Sequence, residues 1–160
     1  MCYFCNLPVL LVMMGAIKIN EFKEPKERAV SDAPSDNLIL ALQDPALYDH
    51  PVKDFQVIET HISWVILTGD YAYKIKKPMD FGFLDFSTLE RRKHFCEEEL
   101  RLNRRLANNL YLDVLPITGS AEAPALGGEG DAFEYAIRMR QFDQNELFDV
   151  RQENSKLTPE

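Results

Sequence analysis

The sequence is poor in the residues that build disulfide frameworks and zinc sites. Its 160 residues include 3 cysteines and 3 histidines, too few for a small disulfide-stapled scaffold. Cys2 and Cys5 form a C-x-x-C pair, but no second pair or histidine follows at ligand spacing. A redox or zinc protein is therefore the weakest interpretation. The few cysteines favour a reducing compartment, and we predict a cytoplasmic protein.

Positive charge is also scarce. Lysine and arginine number 18 against 26 acidic residues, which gives a net charge of −8. This balance argues against a protein that binds nucleic-acid backbones through a basic face, although one lysine can still bind an anionic small molecule. The apolar run at residues 7–14 is too short to span a bilayer, and no basic residue precedes it. We predict neither a nucleic-acid partner nor a membrane partner.

The chain has the length of one domain. Residues 18–37 are polar and proline-containing, which is the composition of a linker. We predict a loosely ordered leader at residues 1–35 and an ordered body at residues 36–160. A short helix is predicted at residues 37–43, with Ser35 or Asp36 as its cap.

The most informative stretch begins as a hairpin. Residues 64–68 are apolar and β-prone, and Gly69 and Asp70 form a turn dipeptide before a second strand at residues 71–76. Strand alternation places two sets of side chains on opposite faces: Tyr71, Tyr73 and Ile75 on one, and Ala72, Lys74 and Lys76 on the other.

A long charged helix is predicted after this strand, at residues 87–107. Ser87 and Glu90 have the spacing of a capping box. A glutamate of this helix can form an ion pair with a lysine of the preceding strand, and such a pair can direct the ammonium at a phosphate. Glu99 is favoured because Leu102 and Leu106 share its face, whereas Glu98 is the competitor and faces Arg101.

The remaining strands are predicted at residues 55–60, 114–118 and 133–142, with a solvent loop at residues 119–131. The element order is three strands, the long helix and two strands. Short connections among the first three strands imply an antiparallel meander. The sequence therefore predicts an α+β fold, an antiparallel sheet of about five strands covered by one long helix.

These residues resemble a known family. The segments ETHISWVILTGDYAYKIKKP (residues 59–78), FLDFSTLERR (residues 83–92) and FCEEELRLNRRL (residues 95–106) are similar to aminoglycoside phosphotransferase-like kinases. They look most like a bacterial group that joins such a domain to a C-terminal P-loop ATP-binding domain. The resemblance covers about residues 36–160 and implies the small lobe of the protein-kinase-like fold.

The resemblance implies ATP as the cofactor and assigns it five residues. Lys74 and Glu99 match the lysine and glutamate that hold the nucleotide phosphates. Lys76 and Lys77 lie later in the strand, and we predict that they are solvated. Ser63 could offer a hydroxyl or an N–H to a phosphate, though the usual glycine-rich loop is absent. Gln141 and Phe142 fall at the expected hinge, where backbone groups would bind adenine.

Two features set limits on this assignment. Asp80, Phe81 and Gly82 spell a kinase metal motif, but they lie before the helix and are predicted to form a loop. None of the three histidines begins the His-x-Asp sequence of a catalytic loop. The chain therefore resembles a truncated phosphotransferase that lacks its large lobe, and Mg²⁺ is expected only with that lobe. Its expected partners are a nucleotide and the missing lobe or P-loop domain.

An alternative from another class stays open. The chain could be a non-catalytic interaction module, or a gene remnant, with the same fold. The alternating apolar residues of the strand at residues 133–142 would then form a binding face. Absence of ATP binding, together with self-association of the chain, would favour this alternative.

Overall fold

The computed structural model describes residues 36–141. Predictions for residues 1–35 and 142–160, including the leader and Phe142, lie outside this range. The described residues form two helices, a 3₁₀ turn (Pro45–Leu47) and six strands. In chain order these are α1 (Asp36–Ala41), β1 (Gln56–Glu59), β2 (Ser63–Leu67), β3 (Tyr71–Lys76), α2 (Leu89–Asn103), β4 (Tyr111–Gly119), β5 (Pro124–Leu126) and β6 (Ala132–Arg140).

All six strands belong to one sheet, in the order β1-β2-β3-β6-β4-β5, and every pairing is antiparallel. The predicted α+β class is confirmed, and the predicted strand count is low by one. The chain leaves the sheet after β3, runs through α2, and returns at β4. Because β6 lies between β3 and β4, both β3 and β6 are central strands.

The β2–β3 hairpin forms as predicted. Gly69 has φ 101°, a conformation that glycine adopts without strain. Thr68 supports the turn, since both its N–H and its hydroxyl donate to the Tyr71 carbonyl at 2.9 Å. Lys74 lies opposite Val65 of β2 and Ile137 of β6. This register places Lys74 in the interior of the sheet.

Helix α2 is shorter than the predicted range 87–107. Its N-cap is Thr88, whose hydroxyl accepts from the Arg91 N–H, so the predicted capping box on Ser87 is wrong. The helix ends at Asn103, and narrower turns follow it. The backbone N–H groups of Arg105 and Leu106 donate to the carbonyls three residues before them. Such bonds belong to 3₁₀ turns.

The sheet buries apolar side chains on both faces. One cluster packs α1 against the sheet and contains Leu38, Ile39, Leu42, Trp64, Ile66, Tyr73, Ile75, Ile117 and Ala136. The other packs α2 against the opposite face and contains Leu67, Ala72, Cys96, Tyr111, Ile137 and Met139. The long helix therefore covers one face, and the short helix covers part of the other.

Strand β6 departs from a simple alternation. The prediction placed Phe133 on one face with Tyr135, Ile137 and Met139. In the structure Phe133 packs with Ala136 in the α1 cluster, and the other three lie in the α2 cluster. The register of β6 with β4 shifts at this point, and one extra residue in a strand moves its side chain to the other face.

Strand β5 is a correction to the predicted loop at residues 119–131. Its three residues pair with the end of β4, from Ile117 to Gly119. Pro124 begins the strand, a position where the missing N–H does no harm. Within residues 36–141, neither helix combines the length and the apolar character that crossing a bilayer requires.

Candidate functional site

A buried ionic cluster joins β3 to α2. The Lys74 ammonium donates to Glu99 Oε1 at 2.9 Å, and the Lys76 ammonium donates to Glu99 Oε2 at 2.7 Å. The side chains of Lys74 and Lys76 are 3% and 5% exposed, and that of Glu99 is fully buried. The predicted ion pair between Lys74 and Glu99 is therefore present, and a second lysine shares the carboxylate. We call these three residues the lysine cluster.

The local sequence explains how the lysine cluster forms. Lys74 and Lys76 are two residues apart on a strand, so both side chains leave the same face. On α2 the buried residues are Arg92, Cys96, Glu99 and Asn103. Their spacing of four, three and four residues defines one helical face. Glu99 thus points at the sheet face that carries both lysines.

The pairing of Glu99 with Lys74 was predicted correctly, but part of the reason for it was wrong. The prediction relied on Leu102 and Leu106 as the apolar face of the helix. Leu106 is 71% exposed, and the buried face is polar instead. Glu98 lies on the solvent side, where its carboxylate accepts two hydrogen bonds from Arg101. Since three of the four buried residues of α2 are polar or charged, hydrophobic periodicity could not have located this face.

Lys76 corrects a second prediction. It was expected to be solvated, yet it is buried, and its ammonium lies 4.8 Å from the centre of the Phe86 ring. The sequence held a signal for this, because Lys76 shares its strand face with Lys74. Lys77, on the other face, pairs with Glu59 and lies over the Trp64 ring.

The electrostatics of the cluster are those of close, desolvated charges. Burial opposes ionisation of Glu99, but the two ammonium groups outweigh it and hold its pKa below the ordinary 4.5. Burial lowers the pKa of Lys74, and the nearby Lys76 lowers it further, while Glu99 opposes both effects. Two cations therefore compete for one carboxylate in a medium that screens them poorly.

Ser63 lies beside the lysine cluster, directly opposite Lys76 in the β2–β3 register. Its polar groups are engaged within the β1–β2 turn. The Ser63 N–H donates to the Thr60 hydroxyl at 3.0 Å, and the Thr60 hydroxyl donates to the Ser63 carbonyl at 2.9 Å. The two hydroxyls lie 3.0 Å apart. A phosphate contact from Ser63 would require this turn to open.

Gln141 lies beside the turn of the β2–β3 hairpin, where it contacts Gly69 and Asp70. Its N–H donates to the Asp70 carbonyl at 2.9 Å, and its side-chain oxygen accepts from the Gly69 N–H at 3.0 Å. The Gln141 N–H is thus not free for an adenine ring. Phe142, which was assigned to the same hinge, lies outside the described residues.

The kinase-like tripeptide at Asp80 forms a loop between β3 and α2. Asp80 accepts from the Gly82 N–H at 2.7 Å, and Gly82 has φ 82°. Asp80 also pairs with Asp85 in an isolated bridge. These contacts describe a compact turn that leads the chain to Phe86 and the start of the helix.

A second buried ion pair was missed by the sequence analysis. Arg92 of α2 donates through Nε to both carboxylate oxygens of Glu134, at 3.1 and 2.8 Å. Arg92 Nη1 also donates to the carbonyls of Phe86 and Ser87. We call Arg92 and Glu134 the arginine pair. Charged residues are usually placed at the surface by sequence reasoning, because they are seldom fully buried unless paired.

Part of the sequence is similar to mycobacterial proteins. No family model matches the sequence, and no solved structure matches it. Proteins from Mycobacterium bovis and from two strains of Mycobacterium tuberculosis, all named as uncharacterized, are 45% identical over 80 residues. The match covers 46% of this chain but 16% of each relative. The chain therefore spans about a sixth of the length of these relatives.

Proposed function

We propose that this chain is the nucleotide-binding lobe of an ATP-dependent phosphotransferase that acts on a small molecule. The observation that carries the proposal is the lysine cluster. A lysine from a central strand is held by a glutamate from the covering helix, with both groups desolvated. Such a pair fixes the position of an ammonium that can bind the phosphates of ATP.

The chemistry of the pair fits a polyphosphate ligand. Within residues 36–141, Glu99 is the acceptor of the hydrogen bonds from each ammonium. An ammonium can donate three hydrogen bonds. Phosphate oxygens accept such charge-assisted bonds strongly, and burial strengthens them further.

We do not expect these 160 residues to transfer phosphate by themselves. Phosphoryl transfer needs a group that orients the acceptor and carboxylates or amides that hold Mg²⁺. The sequence contains no His-x-Asp catalytic loop. The relatives extend far beyond the aligned segment, so a longer protein of this kind has room for these groups.

Titration calorimetry with ATP tests the proposal. We expect the wild-type chain to bind ATP and Lys74→Met to lose binding. Lys77→Met should bind normally, because Lys77 points to the other face and pairs with Glu59. The Lys74→Met variant should still fold, since Lys76 continues to neutralise Glu99. Equal ATP affinity in Lys74→Met and wild type would contradict the proposal.

A labelling experiment gives an answer that needs no variant. An acyl phosphate of ATP transfers its acyl group to a lysine amine beside the bound phosphates, with release of ATP. We expect mass spectrometry to find the label in the lysine cluster and not on Lys77 or Lys93. Absence of binding together with self-association of the chain would instead favour a non-catalytic interaction module.

A further inference from the structure

The buried charges at the interface of α2 and the sheet do not balance. The buried charged residues within 36–141 are Lys74, Lys76, Arg92, Glu99 and Glu134. They comprise three cations and two carboxylates. The arginine pair is balanced, so the excess positive charge belongs to the lysine cluster.

A structural role alone does not explain the second lysine. Glu99 would already be neutralised by Lys74 at 2.9 Å. Burying one more cation is unfavourable unless something compensates it. Lys76 is nonetheless 96% buried and donates to the same carboxylate. A site that carries more positive charge than its own residues neutralise is suited to an anionic ligand.

The geometry of the lysine cluster favours an anion that offers several oxygens. The two ammonium groups donate to different oxygens of one carboxylate. A lysine is a flexible point charge with three donors. Each ammonium could therefore keep its bond to Glu99 and still donate to a separate phosphoryl group.

We propose that Lys76 is a second phosphate-binding residue, and that Lys74 and Lys76 together bind two adjacent phosphoryl groups of a polyphosphate ligand. This inference rests on the proposed function, and it names the ligand feature that the site selects. Phe86 contacts the Lys76 ammonium, and it would shape the approach of the ligand at this end of the cluster.

The test uses tripolyphosphate as the probe, on the 160-residue chain. We expect Lys76→Met to lower tripolyphosphate affinity about tenfold or more, the loss of one charge-assisted hydrogen bond to a phosphate. Lys77→Met is the matched control, and it should bind within about threefold of wild type. The Tm of Lys76→Met should be unchanged or higher, because an uncompensated buried cation is removed. A purely structural lysine would lower the Tm instead.

The outcomes separate this inference from the proposed function. Normal tripolyphosphate binding by Lys76→Met, with loss in Lys74→Met, would overturn the role of Lys76 alone. No binding of tripolyphosphate or ATP by the wild type would overturn both. If Lys76→Met fails to fold, labelling of the wild type by the acyl phosphate of ATP tests the role of Lys76 instead. Label on both lysines supports the inference, and label on Lys74 alone refutes it.

Discussion

The lysine cluster and the arginine pair both hold α2 against the sheet, yet they are built differently. In the arginine pair one guanidinium faces one carboxylate, and two backbone carbonyls accept from the same guanidinium. In the lysine cluster two ammonium groups share one carboxylate. A balanced, well-bonded pair is what structural support requires. The proposed role in ligand binding would explain why the lysine cluster carries one more cation than carboxylates.

Their positions on α2 sharpen the contrast. Arg92 lies in the first turn of the helix and Glu99 two turns later, on the same face. The arginine pair thus anchors the start of the helix to β6, while Glu99 reaches β3.

The largest expected effect comes from removing the shared carboxylate. Glu99→Gln leaves two buried ammonium groups without a charged partner, which should cost about 3–5 kcal/mol of unfolding free energy. Urea unfolding measures this loss. Glu98→Gln is the matched control, and it should leave the midpoint unchanged because Glu98 lies on the solvent side. Equal stability of the two variants would contradict the cluster.

Breaking the arginine pair should have a smaller effect. Arg92→Met leaves Glu134 buried, at a cost of about 2–3 kcal/mol. Burial already raises the pKa of Glu134 despite Arg92, so protonation of this carboxyl limits the loss.

The double variant Arg92→Met/Glu134→Gln should recover most of that stability, because it removes both charges while keeping an acceptor for the Tyr135 N–H. Denaturant unfolding of the single and double variants measures the coupling. Failure of the second substitution to rescue the first would show that the pair is not a self-contained unit.

Acid should weaken the lysine cluster. The pKa of Glu99 is lower in the folded chain than its ordinary 4.5. Its contribution to stability is therefore fully present above about pH 4.5 and is lost as the pH falls through the folded-state pKa. We expect the stability difference between wild type and Glu99→Gln to shrink in this acidic window. Unfolding curves from about pH 6 down to the lowest pH at which both proteins still fold measure it, and a difference that stays constant over that whole range would contradict the assignment.

The smallest effect is expected at Lys77. Its partner Glu59 is largely exposed, so Lys77→Met should cost about 0–1 kcal/mol. Thermal unfolding of Lys77→Met and of the wild type measures this difference. A large loss of stability in Lys77→Met would contradict its pairing with an exposed carboxylate.

The sequence predicted much of this fold because its signals were local. The alternation in β3 placed Lys74 and Lys76 opposite Tyr73 and Ile75, as the structure shows. The α+β class and the long helix followed from element order. The cap was misplaced by one residue because Ser87 and Thr88 are adjacent hydroxyl residues and either could cap the helix.

What the sequence could not predict depends on tertiary pairing. A bulge in β6 turns Phe133 to the other face of the sheet. The alternation of apolar and polar residues in the sequence does not indicate this bulge. Strand β5 has three residues, too few for a period to be recognised. Arg92 and Glu134 are 42 residues apart in the chain. Lys76 was judged by the usual exposure of lysine, and its burial depends on Glu99 and Phe86.

The most direct test compares ATP binding after each cluster is disabled. Titration calorimetry should show lost binding in Lys74→Met and near-normal affinity in Arg92→Met/Glu134→Gln, with folding verified by circular dichroism. This result would assign ligand binding to the lysine cluster and support to the arginine pair. Equal ATP affinity in Lys74→Met and the wild type would contradict the central claim.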